Sequence, residues 1–512
     1  MDPTCTTSDS MARGLLDVPE DVLAQIFSLA CHPTRGAARW PRSFYPLWLG
    51  QICRACRECA WVSSELWTTI VLRISLKRIE AQTELLSEWL ERAKGRPLDI
   101  YVEEPRSNAR SYDADAEVGF IPKSRFALQI LARHSGQWRR VEFHLPARRY
   151  GFIELPSKCP VQEGGSVGRY PYASFPPMPL SFPLLQYVSL HHAEAESRGQ
   201  TLALNLSQAD ALRTLSLSSL TMRTVTFTNY PTKRITHLIF NHVSQINLRN
   251  LLVQFFNLRK LTLNNCHVLA GIANINPAHA LPPKVHENLQ SLSLEFGPEF
   301  RAPDALIFEL FDQITLPALK SLHIRVPRKI PFARNLLPFI ERSACALTQL
   351  TLAYYVAPEL DLIEFLSSPC LSSLAELRIR HFGNFRPILE PSVSRRGLTG
   401  LFFDQLHPLK YPEYLPHLKI LEFQGRLSAE SIDFIEPLVI RSHIRESESS
   451  CIITPTKTAI LRKVTIVPGL NSSVAKLKID EHMDQESLQE FIRMVDMGVL
   501  TFVNDGAALC QN

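Results

Sequence analysis

The chain has 512 residues, of which 45% are hydrophobic and 21% charged, with a formal net charge of +5 and 11 cysteines. That length exceeds what one compact core serves, so at least two domains are expected, and the balance of apolar to charged residues argues against a disordered chain. The small charge excess, without a basic stripe interleaved with aromatics, argues against a nucleic-acid partner; Arg139-Arg140 and Arg148-Arg149 read as solvated clusters. No long uncharged apolar run is present, so no membrane span is expected. The first residues lack a basic-then-apolar leader, and the odd, scattered cysteines point to reduced thiols. A cytoplasmic or nuclear location is therefore expected.

Residues 1–14 are polar and read as a disordered start. In the segment Leu15 to Phe27, Asp17 and Glu20 fit a capping pattern, and Pro19 sits in the first turn of a helix. Val22, Leu23, Ile26 and Phe27 then fall on one helical face. A proline- and arginine-bearing spacer follows, Cys31 to Pro46. A second short helix is expected over Leu49–Ala60, with Leu49, Ile52, Cys53 and Cys56 on one side. Ser63 to Trp67 starts a third turn, and Trp67–Leu72 becomes extended.

The order Val18-Pro19, Glu20-Asp21, Val22-Leu23, Ile26-Phe27, Ile52-Cys53 and Leu66-Trp67 resembles an F-box. Val18 stands where that family usually has leucine, and Cys56 where it usually has tryptophan. The resemblance covers residues 15–72. It implies a small helical domain that docks on a Skp-family adaptor through Val18, Pro19, Val22, Leu23, Ile26, Phe27, Ile52 and Trp67.

Residues 73–136 read as a linking segment: a helix from Lys77 to Lys94, a strand over Pro97–Val102 and a helix from Phe126 to His134. Gln137–Leu145 is a strand. Residues 146–183 carry eight prolines, with Gly164, Gly165 and Gly168 among them, the composition of a long loop.

Leu258-Arg-Lys-Leu261-Thr-Leu263-Asn-Asn-Cys266 reads L-x-x-L-x-L-x-x-C. Leu261 and Leu263 are two apart and share one strand face, while Lys260, Thr262 and Asn264 take the other. The same apolar-x-x-apolar-x-apolar pattern begins at Trp138, Leu185, Leu212, Ile235, Leu258, Leu289, Leu319, Leu347, Leu374, Leu398, Leu418 and Leu461. Most steps lie in or near the range of about 20–29 residues of leucine-rich repeats, which the stretch resembles. Helical returns are expected over Asn247–Phe256, Asp304–Gln313, Pro358–Ser367 and Ser428–Ile440. A last helix, Gln485–Met497, would end at Gly498 and cap the array within residues 471–512.

The expected fold is therefore α/β: a small helical F-box at the N-terminus, then an irregular leucine-rich-repeat solenoid, or horseshoe, over residues 137–470. The layout resembles the fungal F-box-like family with repeat-bearing C-terminal regions.

Catalytic signals are absent or out of context. Gly164-Gly-Ser-Val-Gly168 matches the nucleophile-elbow letters, but Pro160 and Pro171 flank Ser166 where a strand and a helix would be needed. Cys53, Cys56 and Cys59 have the spacing of thiolate ligands but no fourth partner nearby, so they read as packing residues. No phosphate loop, zinc-protease motif or dinucleotide fingerprint occurs. Neither an enzyme, a metal nor a cofactor is expected.

What the resemblance implies is the substrate receptor of a Skp–cullin–F-box type ubiquitin ligase; the alternative is a repeat-bearing scaffold without ligase role. The protein substrate would lie on the strand faces that point away from the core. Those rows begin with Tyr187, Ser189, His191, Thr214, Ser216 and Ser218. They continue through Lys260, Asn264, His323, Arg325, Glu376, Arg378 and Arg380. The arginines suggest an acidic or phosphorylated segment, because guanidinium forks hold carboxylate and phosphate.

Overall fold

Most strands in this chain alternate an apolar residue with a polar one, burying one side and leaving the other to water, but Ser189, Ser216 and Ser218, expected on the outward rows, are buried. The computed structural model describes residues 18–31, 45–75, 77–104, 114–146, 180–192, 206–219, 230–268, 282–296, 311–325, 332–353, 359–380, 398–425, 435–443, 459, 461–468 and 485–502. Contacts divide the chain into two units, Met1–Ile235 and Thr236–Asn512.

Among the described residues, the first unit begins with the helices α1 (Glu20–Cys31), α2 (Tyr45–Ile52) and α3 (Arg54–Val62), and a 3-10 turn at Ser64–Trp67. β1 (Thr69–Arg73), α4 (Ile79–Arg92), β2 (Leu98–Glu103), α5 (Ala114–Arg133), β3 (Trp138–Leu145), β4 (Tyr187–His192) and β5 (Thr214–Ser218) follow. The five strands lie in chain order, each parallel to the next. Their register aligns Ile70, Ile100, Val141, Val188 and Leu215 into one buried row and Leu72, Val102, Phe143, Leu190 and Leu217 into another. Parallel strands need a long crossover, which α4 and α5 supply. α4 turns Ile79, Leu86, Trp89 and Leu90 inward.

The sequence suggests one helix over Leu49–Ala60; two form, broken at Cys53. Cys53 is extended (φ −157°, ψ 174°), and its Sγ accepts the Cys56 amide at 3.4 Å as the N-cap of α3. Gly50 lets α2 and α3 close together, since a Cβ there would lie 2.2 Å from the Trp61 ring.

Among the described residues, the second unit carries nine parallel strands in chain order. They are β6 (His237–Asn241), β8 (Lys260–Asn264), β11 (Ser291–Glu295), β13 (Ser321–Arg325), β14 (Gln349–Ala353), β15 (Glu376–Arg380), β16 (Ile420–Gly425), β17 (Lys463–Pro468) and β18 (Leu500–Phe502). Two short parallel pairs accompany them: β7 (Ser244–Ile246) with β9 (His267–Val268), and β10 (Lys284–Val285) with β12 (Ile314–Thr315). Leu238, Leu261, Leu292, Leu322, Leu350, Leu377, Leu421 and Val464 stack as one inward row. Between the strands run α6 (Leu248–Gln254), α7 (Phe332–Ser343), α8 (Glu359–Leu366), α9 (Gly400–Asp404), α10 (Ile435–His443) and α11 (Gln485–Asp496).

Two polar side chains tie crossovers together. Arg441 of α10 is 0% exposed and donates to the carbonyls of Leu406, Tyr414 and Leu415. Burial lowers its pKa to about 10, and the nearby Tyr414 opposes that shift. Glu359 at the start of α8 accepts the Thr399 amide at 2.8 Å, the Thr399 hydroxyl at 2.7 Å and the Phe402 amide at 3.0 Å, fixing the first turn of α9.

The expected fold class is overturned. The molecule is an α/β protein of all-parallel strands and crossover helices, not a helical F-box followed by a leucine-rich-repeat solenoid. The extended segment expected over Trp67–Leu72 forms as β1, but it joins β2 and β3 in parallel register instead of closing a separate helical domain. The contact boundary at Ile235 also falls inside the expected array. One repeat position fails individually. Leu398-x-x-Leu401-x-Phe403 forms α9 rather than a strand, because the Thr399 cap and Glu359 satisfy helical amides there and Phe402 and Phe403 bury helically.

Candidate interaction surfaces

α1 sorts its apolar residues onto two sides. Leu23 (5% exposed), Phe27 (4%) and Cys31 turn inward, toward α2, α3 and the 3-10 turn. Val22, Ile26 (49%) and Leu29 (82%) lie within about 60° of one another around the axis and face solvent. Val18 is half-buried and Pro19 exposed. Trp48, Ile52 (62%) and Val62 add exposed apolar area on α2 and α3. Of the residues the sequence put on the adaptor surface, Val22, Ile26 and Ile52 are therefore exposed, whereas Leu23, Phe27 and Trp67 are core.

Trp67 is 0% exposed, and its indole N–H donates to the Ala60 carbonyl at 2.8 Å. The Trp61 and Trp89 rings meet it edge-on at 5.5 and 4.7 Å, and the Arg92 guanidinium lies over both Trp61 and Trp67. It joins the helices to α4 rather than facing a partner. Burying the core partners is what leaves the opposite side of so small a segment apolar and uncovered.

On the second unit the water-facing rows line up across strands. His237, Lys260, Ser291, Ser321, Gln349 and Glu376 form one row; Ile239, Thr262, Ser293, His323, Thr351, Arg378 and Glu422 the next. The third runs Asn241, Asn264, Glu295, Arg325, Ala353, Arg380 and Gln424, with Ala353 buried. Lys260 is exposed, and Asn264 donates its side-chain amide to Asn241 at 2.8 Å.

The arginines are not free. Arg325 bonds Glu295 at 3.2 Å, and His323 Nε2 approaches the other oxygen of the same carboxylate at 3.4 Å. Arg380 reaches Glu422 at 2.9 Å; Arg378 lies 3.4 Å from Glu422 and pairs with Glu376 as well. Three arginines thus face three glutamates, all half-buried. His323 first, and Arg325 after it, hold the Glu295 carboxyl below its ordinary range against the effect of burial. Register across strands, not spacing within one, makes Glu295 and Glu422 partners of these arginines, so single-strand patterns did not reveal them.

Cys56 and Cys59 are buried on α3, while Cys53 is partly exposed at its cap. Among the described residues, no His, Cys, Asp and Glu group has the arrangement to hold a metal ion, and no helix is long and apolar enough to cross a membrane. Ser166 and its glycines lie outside the described residues.

No protein-family model and no curated protein sequence matches the chain. The geometry itself defines the class of site: an uncovered apolar helical face in one unit and a charge-paired parallel-sheet face in the other.

Proposed function

We propose that the chain is a non-catalytic recognition subunit, the substrate receptor of a Skp–cullin type ubiquitin ligase. Its N-terminal helices dock the adaptor and its sheet face holds a protein substrate. The observation that carries this reading is the apolar side of α1, with Val22, Ile26 and Leu29 exposed while Leu23 and Phe27 supply the local core. A contiguous apolar helix face beside a filled core is the form of a protein-docking surface. Its chemistry suits the apolar helices of a Skp-family adaptor. The chain would then only position a lysine of the substrate near the conjugating enzyme.

The charge pairing refines the substrate side. An acidic or phosphorylated segment would have to displace Glu295, Glu376 and Glu422 from their arginines. A segment of alternating acidic and basic residues instead exchanges partners pair for pair, which keeps every charge matched as water leaves.

Affinity purification of the full chain from cells tests the proposal. Recovery of adaptor together with cullin supports the receptor reading. Adaptor without cullin points to a scaffold without ubiquitin transfer, and recovery of neither overturns both.

A further inference from the structure

Cys53 and Cys56 sit where chain geometry prepares two thiols for each other. Cys53 is the extended N-cap of α3, and its sulfur accepts the amide of Cys56 at 3.4 Å. The Cys56 sulfur is only three bonds from that nitrogen, so rotation about side-chain torsions brings the two sulfurs together. Cys53 is partly exposed and Cys56 is 0% exposed, the arrangement of an attacking thiol and a sheltered resolving one. Cys59, three residues further along α3, is buried as well and lies away from the cap.

We propose that Cys53 and Cys56 are a reversible oxidation site that closes an intrachain disulfide across the first turn of α3. The environment of each thiol suits its role. The Cys56 amide, then the Cys56 thiol, lower the Cys53 pKa, with Arg57 adding a smaller effect. Burial pushes the Cys56 thiol up to about 11, so it waits as the protonated partner.

With a peroxide as oxidant, the Cys53 thiolate sulfur attacks one peroxide oxygen and the O–O bond breaks. The departing hydroxide takes up a proton as water, leaving Cys53 as sulfenic acid. Cys56 then attacks the Cys53 sulfur; the S–O bond breaks, and the hydroxyl leaves with the Cys56 proton as a second water. Two thiols and one peroxide give one disulfide and two waters. A dithiol reductant reverses the change by exchange. The bond would fix the junction between α2 and α3 immediately beside the exposed Ile52, and its formation does not depend on what docks there.

The full-length protein, treated with hydrogen peroxide, blocked at free thiols and digested with trypsin, tests this. Cleavage after Arg54 and Arg57 separates Cys53 from Cys56 unless a disulfide holds the peptides together. The expected product is that linked pair, lost after dithiothreitol, absent in Cys53→Ser and Cys56→Ala, and retained in Cys59→Ser. Cys53→Ser preserves a capping side chain, so its loss of the product reports chemistry rather than unfolding, which circular dichroism checks. Both thiols remaining blocked, a link that includes Cys59, or a bond between chains would overturn the proposal.

Discussion

The N-terminal helices and the sheet face of the second unit solve the problem of an uncovered surface in opposite ways. α1 leaves apolar side chains in water, where each carries an unrealised burial of the order of 1.5–3 kcal/mol for a fully buried aliphatic residue. The sheet face leaves charges in water and pairs them with one another across strands, where exposed pairs contribute only about 0.2–1 kcal/mol each. On the proposed function, the first arrangement would store binding energy and the second selectivity. Affinity should therefore reside in the helices, and choice of partner in the sheet.

The largest effect should come from removing the residue that separates core from surface in the helical segment. Trp67→Ala empties a site packed by Trp61, Trp89 and Arg92 and leaves the Ala60 carbonyl without its donor. A loss of about 3–5 kcal/mol is expected for truncating a buried tryptophan. Hydrogen exchange should show α1 to α3 opening while the strands of the second unit stay protected. Unchanged protection would mean that Trp67 does not hold the segment together.

Arg441→Met gives the corresponding blow to the second unit, leaving the carbonyls of Leu406, Tyr414 and Leu415 without this donor. Each unpaired buried group costs about 1–3 kcal/mol, less whatever the better-packed apolar side chain returns. Denaturant unfolding should register a clear loss; a variant as stable as the parent would show that the apolar replacement compensates fully.

Smaller effects are expected on the paired face. A double-mutant cycle on Glu295 and Arg325 should give a coupling of about 0.2–1 kcal/mol, since both side chains remain about a third exposed. Acid adds a sign. The folded Glu295 carboxyl lies below its ordinary value of 4.5, so its contribution is complete above that pH and disappears as pH falls through the lowered value. Glu295→Gln should lower stability at neutral pH by that contribution and flatten the loss below pH 4.5, so that parent and variant converge in acid. An identical acid limb in parent and variant would remove Glu295 from the account.

Much of the strand pattern was legible in the sequence, because Leu261 and Leu263, Leu292 and Leu294, or Leu377 and Ile379 state their period directly. Leu398 misled, since its spacing suits either a strand or the helix that Thr399 and Glu359 stabilise from positions 40 residues apart in the chain. α7 went unread because Pro338 lies inside it, on its exposed side, and a proline argues against a helix interior in any local reading.

The surface residues show the same limit. Trp67 looked like an anchor for a partner because a motif gives residue order and not direction. Leu29, Trp48 and Val62 were passed over, and their exposure follows only from how α1, α2 and α3 pack. Glu295 and Glu422 became partners of the arginines through register across neighbouring strands, information that no single strand contains.

The proposed function rests on docking of a Skp-family adaptor against the apolar side of α1 and the exposed Ile52. The direct test is calorimetric titration of purified adaptor into the full chain and into an Ile26→Asp, Leu29→Asp, Ile52→Asp variant. All three side chains point to solvent, so the melting temperature should stay within a degree or two of the parent while adaptor affinity falls at least a hundredfold. Equal affinity in parent and variant, at equal stability, would contradict the claim.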